Sequence, residues 1–176
     1  MNPDMVAEQT TLLEVKSKVI SVLQKLYRND AILFERNNRK GLCERALVFR
    51  FGLYLQGAFP DYFVDCDFNS HSRDGRTFSG KPIPNRDGTT TDRFVDIIVH
   101  KRGLSGLDSD FICFEIKKWN NTNTKAAEKD QNNLRILTSE YGYKYGFYLI
   151  LGRSLNSTQW AIYGRNGYFE PKRAVL

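Results

Sequence analysis

Cysteine is too scarce in this chain to organise it. Three occur in 176 residues, Cys43, Cys66 and Cys113, and no two form a CxxC pair. An odd, scattered set without CxxC supports neither a disulfide framework nor a zinc site. The cysteines are expected to serve as small hydrophobes in a reduced, cytoplasmic interior. No apolar run approaches the ~20 residues that a membrane helix needs. The opening MNPDMVAEQTT has no basic stretch followed by an apolar core, so no secretory leader is expected. Histidine is equally thin: His71 and His100 stand alone and are read as structural. No internal repeat is present.

What is there is ordinary in bulk and uneven in detail. Hydrophobic residues make up 41% and charged residues 26%, enough for one domain with a sizeable core. The net charge of +6 is compatible with a polyanionic partner and does not require one.

Leu12, Val15, Val19, Val22, Leu23 and Leu26 recur at helical spacing and predict an amphipathic helix over about 5–28. RNDAILFERNNRKG reads as a break. A second helix is expected from about Leu42 to Gln56, stopped by Gly57 and Pro60. Alternation in DYFVDCDFN predicts a half-buried strand. The next stretch, SHSRDGRTFSGKPIPNRDGTTTDR, reads as a long loop, either functional or poorly ordered. Its Arg73, Arg76, Lys81, Arg86 and Arg93 are candidates for a phosphate backbone, or simply a solvated surface. FVDIIVH and FICFEIK are strong strand signals, and the turn-rich KRGLSGLDSD between them predicts an antiparallel hairpin. TKAAEKDQNNLRILTSE predicts a helix with Thr124 as its cap. KYGFYLILG and TQWAIYG predict two further strands. The sum is one α/β domain over 1–176, a mixed sheet flanked by helices, with its core at about 42–151.

Charge at the end of an apolar strand is the informative feature. Side chains alternate along FICFEIKKWN, so Glu115 and Lys117 share a face and Lys118 takes the other. If the hairpin turns between Ser105 and Gly106, Asp96 of the first strand stands opposite Glu115. Opposed side chains point to one face, with Cβ atoms roughly 5 Å apart. Two carboxylates that close resist joint ionisation, and a divalent cation is the natural compensation. Oxygen ligands without a Cys or His cluster select Mg²⁺ or Mn²⁺. Lys117 would then stand beside the ion, able to orient a water or offset phosphate charge, as metal-assisted phosphodiester hydrolysis requires. Glu44, on the buried stripe of the second helix with Leu47, Val48, Phe51 and Leu55, is the best third acid, with Glu35 as the alternative. Gln131 shares a helical face with Ala127 and Leu134, where it can point inward or bond backbone groups. Trp119, Asn120 and Asn121 either line the cleft or pack the loop. Tyr141, Tyr143, Tyr145 and Tyr148 read as sheet packing rather than a base-stacking platform.

Glu44, then VDIIVH with Asp96, then EIK from Glu115 to Lys117, resembles the PD-(D/E)xK nuclease superfamily. The resemblance covers Leu42 to about Leu151 and leaves the N-terminal helix outside. It departs from the nominal motif at Phe94-Val95, where no proline precedes Asp96. It implies a restriction endonuclease-like αβββαβ core with Asp96 and Glu115 binding Mg²⁺ and Lys117 assisting the attacking water. It further implies Glu44 as an added ligand and Gln131 as a contribution of some branches. The expected activity is metal-dependent nuclease action, with DNA favoured as substrate. The alternative is a nuclease-like module that binds nucleic acid or protein without cutting. By analogy alone, a homodimer would let two sites cut two strands.

Overall fold

The computed structural model describes residues 3–35, 44–68, 70–73, 76–79, 82–84, 88–92, 94–102, 104, 109–120 and 123–176. Three α-helices lie among the described residues: α1 (Pro3–Asn29), α2 (Glu44–Ala58) and α3 (Thr124–Ser139). Six strands form the main sheet: β1 (Phe63–Phe68), β6 (Val95–His100), β7 (Asp110–Lys118), β8 (Tyr145–Leu151), β9 (Gln159–Gly164) and β10 (Phe169–Ala174), in that spatial order. Among the described residues only the β7–β8 pairing is parallel, with α3 as its connection. The sheet is therefore mixed, as the sequence pattern led us to expect.

The stripe from Leu12 to Leu26 on α1 and the stripe of Leu47, Phe51 and Leu55 on α2 bury against one face of the sheet. There they meet Ile97, Val99, Ile112, Phe114 and Ile116. The opposite face carries Ile98, Cys113, Tyr148 and Ala161 and is covered by Leu134 and Leu137 of α3. Alternation along β7 thus sends 112, 114 and 116 to α1 and α2, and 113 to α3. Helix α3 lies close to the sheet at Gly146. A Cβ there would stand 3.3 Å from Leu134 Cβ and 3.4 Å from Cys113 Sγ. Gly146→Val should accordingly destabilise the chain by ~1–3 kcal/mol. An unchanged urea midpoint would show that α3 has room to lift.

Several expectations are corrected in detail. The long polar stretch is not a plain loop. It contains two antiparallel ribbons, β2 (Ser70–Arg73) with β3 (Arg76–Ser79), and β4 (Pro82–Pro84) with β5 (Thr90–Asp92). Asp74-Gly75, the strongest short hairpin signal, separates the first pair in the sequence. The cap of α3 is Asn123, not Thr124: its side chain accepts from the Ala126 N–H at 3.1 Å. Strand β10 went unrecognised because Pro171, Lys172 and Arg173 interrupt any apolar alternation. It forms the outer edge of the sheet, with a bulge between Glu170 and Arg173. Lys81, Arg86 and Arg93 lie outside the described residues, as do the side chains of Arg73 and Arg76 and the hairpin centre at 105–108. No helix among the described residues is long and apolar enough to cross a membrane.

Candidate active site

Asp96 and Glu115 come together through the register of β6 and β7. The pairs Ile97↔Phe114, Ile98↔Cys113 and Val99↔Ile112 each sum to 211, and a bulge shifts the next pair, His100↔Asp110, to 210. Continuing the first register by one residue brings Asp96 opposite Glu115. The Asp96 carboxylate is close enough to raise the Glu115 carboxyl. Glu115 is 4% exposed and faces α3, and its partner across the parallel pair is Tyr148.

The backbone explains why an acid stands at 96. The Trp119 N–H of the segment leaving β7 donates to Leu151 O, towards β8. Successive N–H groups on a strand point to opposite edges, so those of Ile116 and Lys118 point towards the β6 side. The recorded β6–β7 pairing begins at Ile97, and beyond it those two donors need other acceptors. The Ile116 N–H donates to Asp96 Oδ2 at 2.6 Å, and the Lys118 N–H to Glu44 Oε2 at 3.2 Å. Two acids from separate elements, β6 and the first residue of α2, are thereby lined up along one stretch of β7. Glu44 also gains from its place in the first turn of α2, where a negative charge complements the helix dipole.

Lys117 closes the cluster. Its Nζ lies 4.0 Å from Asp96 Oδ2, 3.7 Å from Glu115 Oε2 and 3.3 Å from Asp130 Oδ2. Burial pushes the Glu115 carboxyl up to about 9, with Asp96 and Asp130 adding to it and Lys117 opposing. Glu115 therefore keeps its proton at neutral pH. Burial raises Asp96 as well, against the Ile116 N–H and Lys117. Burial alone would lower Lys117, but Asp96, Asp130, Glu115 and Glu44 outweigh it and hold the ammonium charged. Tyr148 is pushed up to about 12 by burial and then by Asp130.

The structure thus gathers Asp96, Glu115 and Lys117, and brings Glu44 to the adjoining backbone. Gln131 is placed differently: its Oε1 accepts from Tyr163 OH at 2.9 Å, and its Nε2 donates to Ala127 O at 3.3 Å. The contribution of α3 is Asp130, which the sequence reading missed. A signal existed, since Ala127, Asp130, Gln131 and Leu134 sit at i, i+3, i+4 and i+7. Glu35, the alternative third acid, is exposed at the end of the short 3₁₀ turn Ala31–Phe34. Trp119 packs rather than lining open space, stacked on Phe34 at 6.5 Å with Arg153 over its ring at 5.8 Å. His100, at the other end of β6, is buried and bonds Asp65 Oδ2 at 2.7 Å, beside Arg102 on the same carboxylate. Tyr143, Tyr145 and Tyr148 are buried in the sheet layers.

Among the described residues no three His, Cys, Asp or Glu side chains are grouped to share one metal ion. The donors still fit a hard divalent ion. Mg²⁺ is commonly held by one or two carboxylates and keeps several waters, and the Asp96–Glu115 pair supplies two. Set against protein-family models, curated proteins and solved structures, the chain matches none of them.

Proposed function

We propose that this chain is a metal-dependent nuclease that hydrolyses phosphodiester bonds, with DNA as the substrate. The observation that carries the reading is a carboxyl pair on two adjacent strands, Glu115 buried and Asp96 half-buried, with a lysine ammonium within 4.0 Å of both. The order α2, β1, β6, β7, α3, β8 in the main sheet supports a restriction endonuclease-like core. The surplus of six positive charges suits a phosphate backbone.

Asp96 and Glu115 would hold Mg²⁺ or Mn²⁺, with Glu44 next in line along β7. Bound there, the ion would polarise a phosphoryl oxygen and make a bound water more acidic. The protein's own groups do the rest. Lys117 presents a fixed positive charge beside the carboxyl pair, where it can orient a water or offset charge on the phosphate. Glu115 must release its proton before it can ligate. The Ile116 and Lys118 N–H groups fix the rotamers of Asp96 and Glu44.

Cleavage of plasmid DNA with and without EDTA tests the reading, with Asp96→Asn as control. Mg²⁺ at a hundredfold excess over its Kd should raise Tm by roughly 5–10 °C through linkage. The rise should be smaller in Asp96→Asn, and equal rises would remove Asp96 from the ligand set. One observation favours the alternative of a binding module that does not cut: Glu44 already spends Oε2 on a backbone donor. Tight DNA binding without cleavage in any divalent ion would establish that alternative.

A further inference from the structure

Three acidic side chains stand beside Lys117, and the nearest is not a member of the Asp96–Glu115 pair. Asp130 Oδ2 stands at 3.3 Å, against 3.7 Å and 4.0 Å for Glu115 and Asp96. We propose that Asp130 is a positioning residue: it draws the Lys117 ammonium off the carboxyl pair and so keeps that pair open to a divalent cation. This rests on the metal-dependent reading above.

The argument is one of competition for a single site of negative charge. Attraction between unit charges falls with distance, so in a common environment the nearest carboxylate holds the ammonium best. A divalent ion on Asp96 and Glu115 would sit ~2.0–2.1 Å from their oxygens and would repel an ammonium resting on the same atoms. Lys117 cannot leave the region, because its backbone is held in β7 by pairing with β8 at Ile150, and the flanking N–H groups of Ile116 and Lys118 are tied to Asp96 and Glu44. It therefore needs an acceptor that is adjacent to the pair and outside it. Asp130 meets that need from a third element. Its side chain is 17% exposed, and α3 is pinned over the sheet by Leu134 and Leu137. Its neighbour Gln131 is engaged with Tyr163 and leaves the place to Asp130. With Asp130 neutralised, the ammonium's remaining close acceptors are Glu115 and Asp96, and it would fall back on the atoms the metal requires.

The test reads Mn²⁺ binding, by electron paramagnetic resonance and calorimetry, without DNA and without turnover. Four proteins are compared: wild type, Asp130→Asn, Lys117→Met, and the two substitutions together. Asp130→Asn should weaken Mn²⁺ binding about tenfold, the scale expected when a residue behind a ligand is lost. The same substitution made in Lys117→Met should change affinity by less than about twofold, because the competing ammonium is gone. Asp130→Glu should keep most of the affinity. Equal losses in both backgrounds would make Asp130 a ligand or a diffuse charge and overturn the proposal, and so would no loss in either. If wild type binds Mn²⁺ and the comparison fails, only this proposal falls. If wild type binds no Mn²⁺, the metal-dependent reading falls with it. Asp130→Ser replaces Asp130→Asn in the comparison should the latter not fold.

Discussion

Lys117→Ala will abolish DNA cleavage while the chain stays folded and still binds DNA. The ammonium lies within 4.0 Å of both carboxyls that face the reacting phosphate in the proposed site. A preorganised charge at such a place is worth ~3 kcal/mol or more, so the rate should drop at least ~10²-fold. Lys118 provides the control that composition cannot. It is adjacent and carries the same charge, but alternation along β7 sends it to the face of α1 and α2. Its tie to the site runs through its backbone N–H and Glu44, which an alanine retains. Lys118→Ala should therefore keep most activity. Both variants need equal concentrations and a circular dichroism check. A dead Lys118→Ala beside an active Lys117→Ala would mean that the wrong face of β7 has been assigned to the chemistry.

The second large effect concerns pH. Burial and the Asp96 charge hold the Glu115 carboxyl at about 9 in the folded chain, against an ordinary value of 4.5. Between those limits the native state keeps a proton that the unfolded chain has released. Stability in EDTA must then fall as pH rises through that window, because the native state binds more protons. One unit of displacement corresponds to ~1.4 kcal/mol, so the loss from pH 4.5 to 7 is on the order of 3 kcal/mol. Glu115→Gln carries no titrating proton and should escape this loss. Urea unfolding at pH 5, 7 and 9 should show the variant gaining on wild type at each step. Mg²⁺ should oppose the trend in wild type, since a ligating carboxyl must be deprotonated and binding releases the proton. Parallel pH profiles for the two proteins would show that Glu115 is ionised in the native state.

The parts of the site that could be read in advance are those fixed by short-range rules. The hairpin register follows from strand alternation and the placement of a turn, and the observed sum of 211 agrees with it from Ile97 to Val99. The pairing of Glu115 with Lys117 on one face needs only the period of two. Asp130 was harder because a helical stripe spans neighbouring positions. Whether 130 or 131 meets Lys117 depends on how α3 is rotated over Gly146, a tertiary contact. The bond from the Lys118 N–H to Glu44 joins residues 74 positions apart and depends on where β6 stops pairing. Strand β10 was hidden because its residues suit an exposed edge rather than a buried alternation.

That edge bears on how copies of the chain can meet. Pro171 has no N–H to offer a new strand, a bulge breaks the line of donors, and Lys172 and Arg173 set exposed like charges side by side. Proline, bulges and lysine are the devices by which open sheets resist extension by another chain. A continuous sheet running through β10 into a second copy is therefore disfavoured. Two copies of this chain would have to meet elsewhere, through side-chain contacts on another face or along β1 at the opposite edge of the sheet.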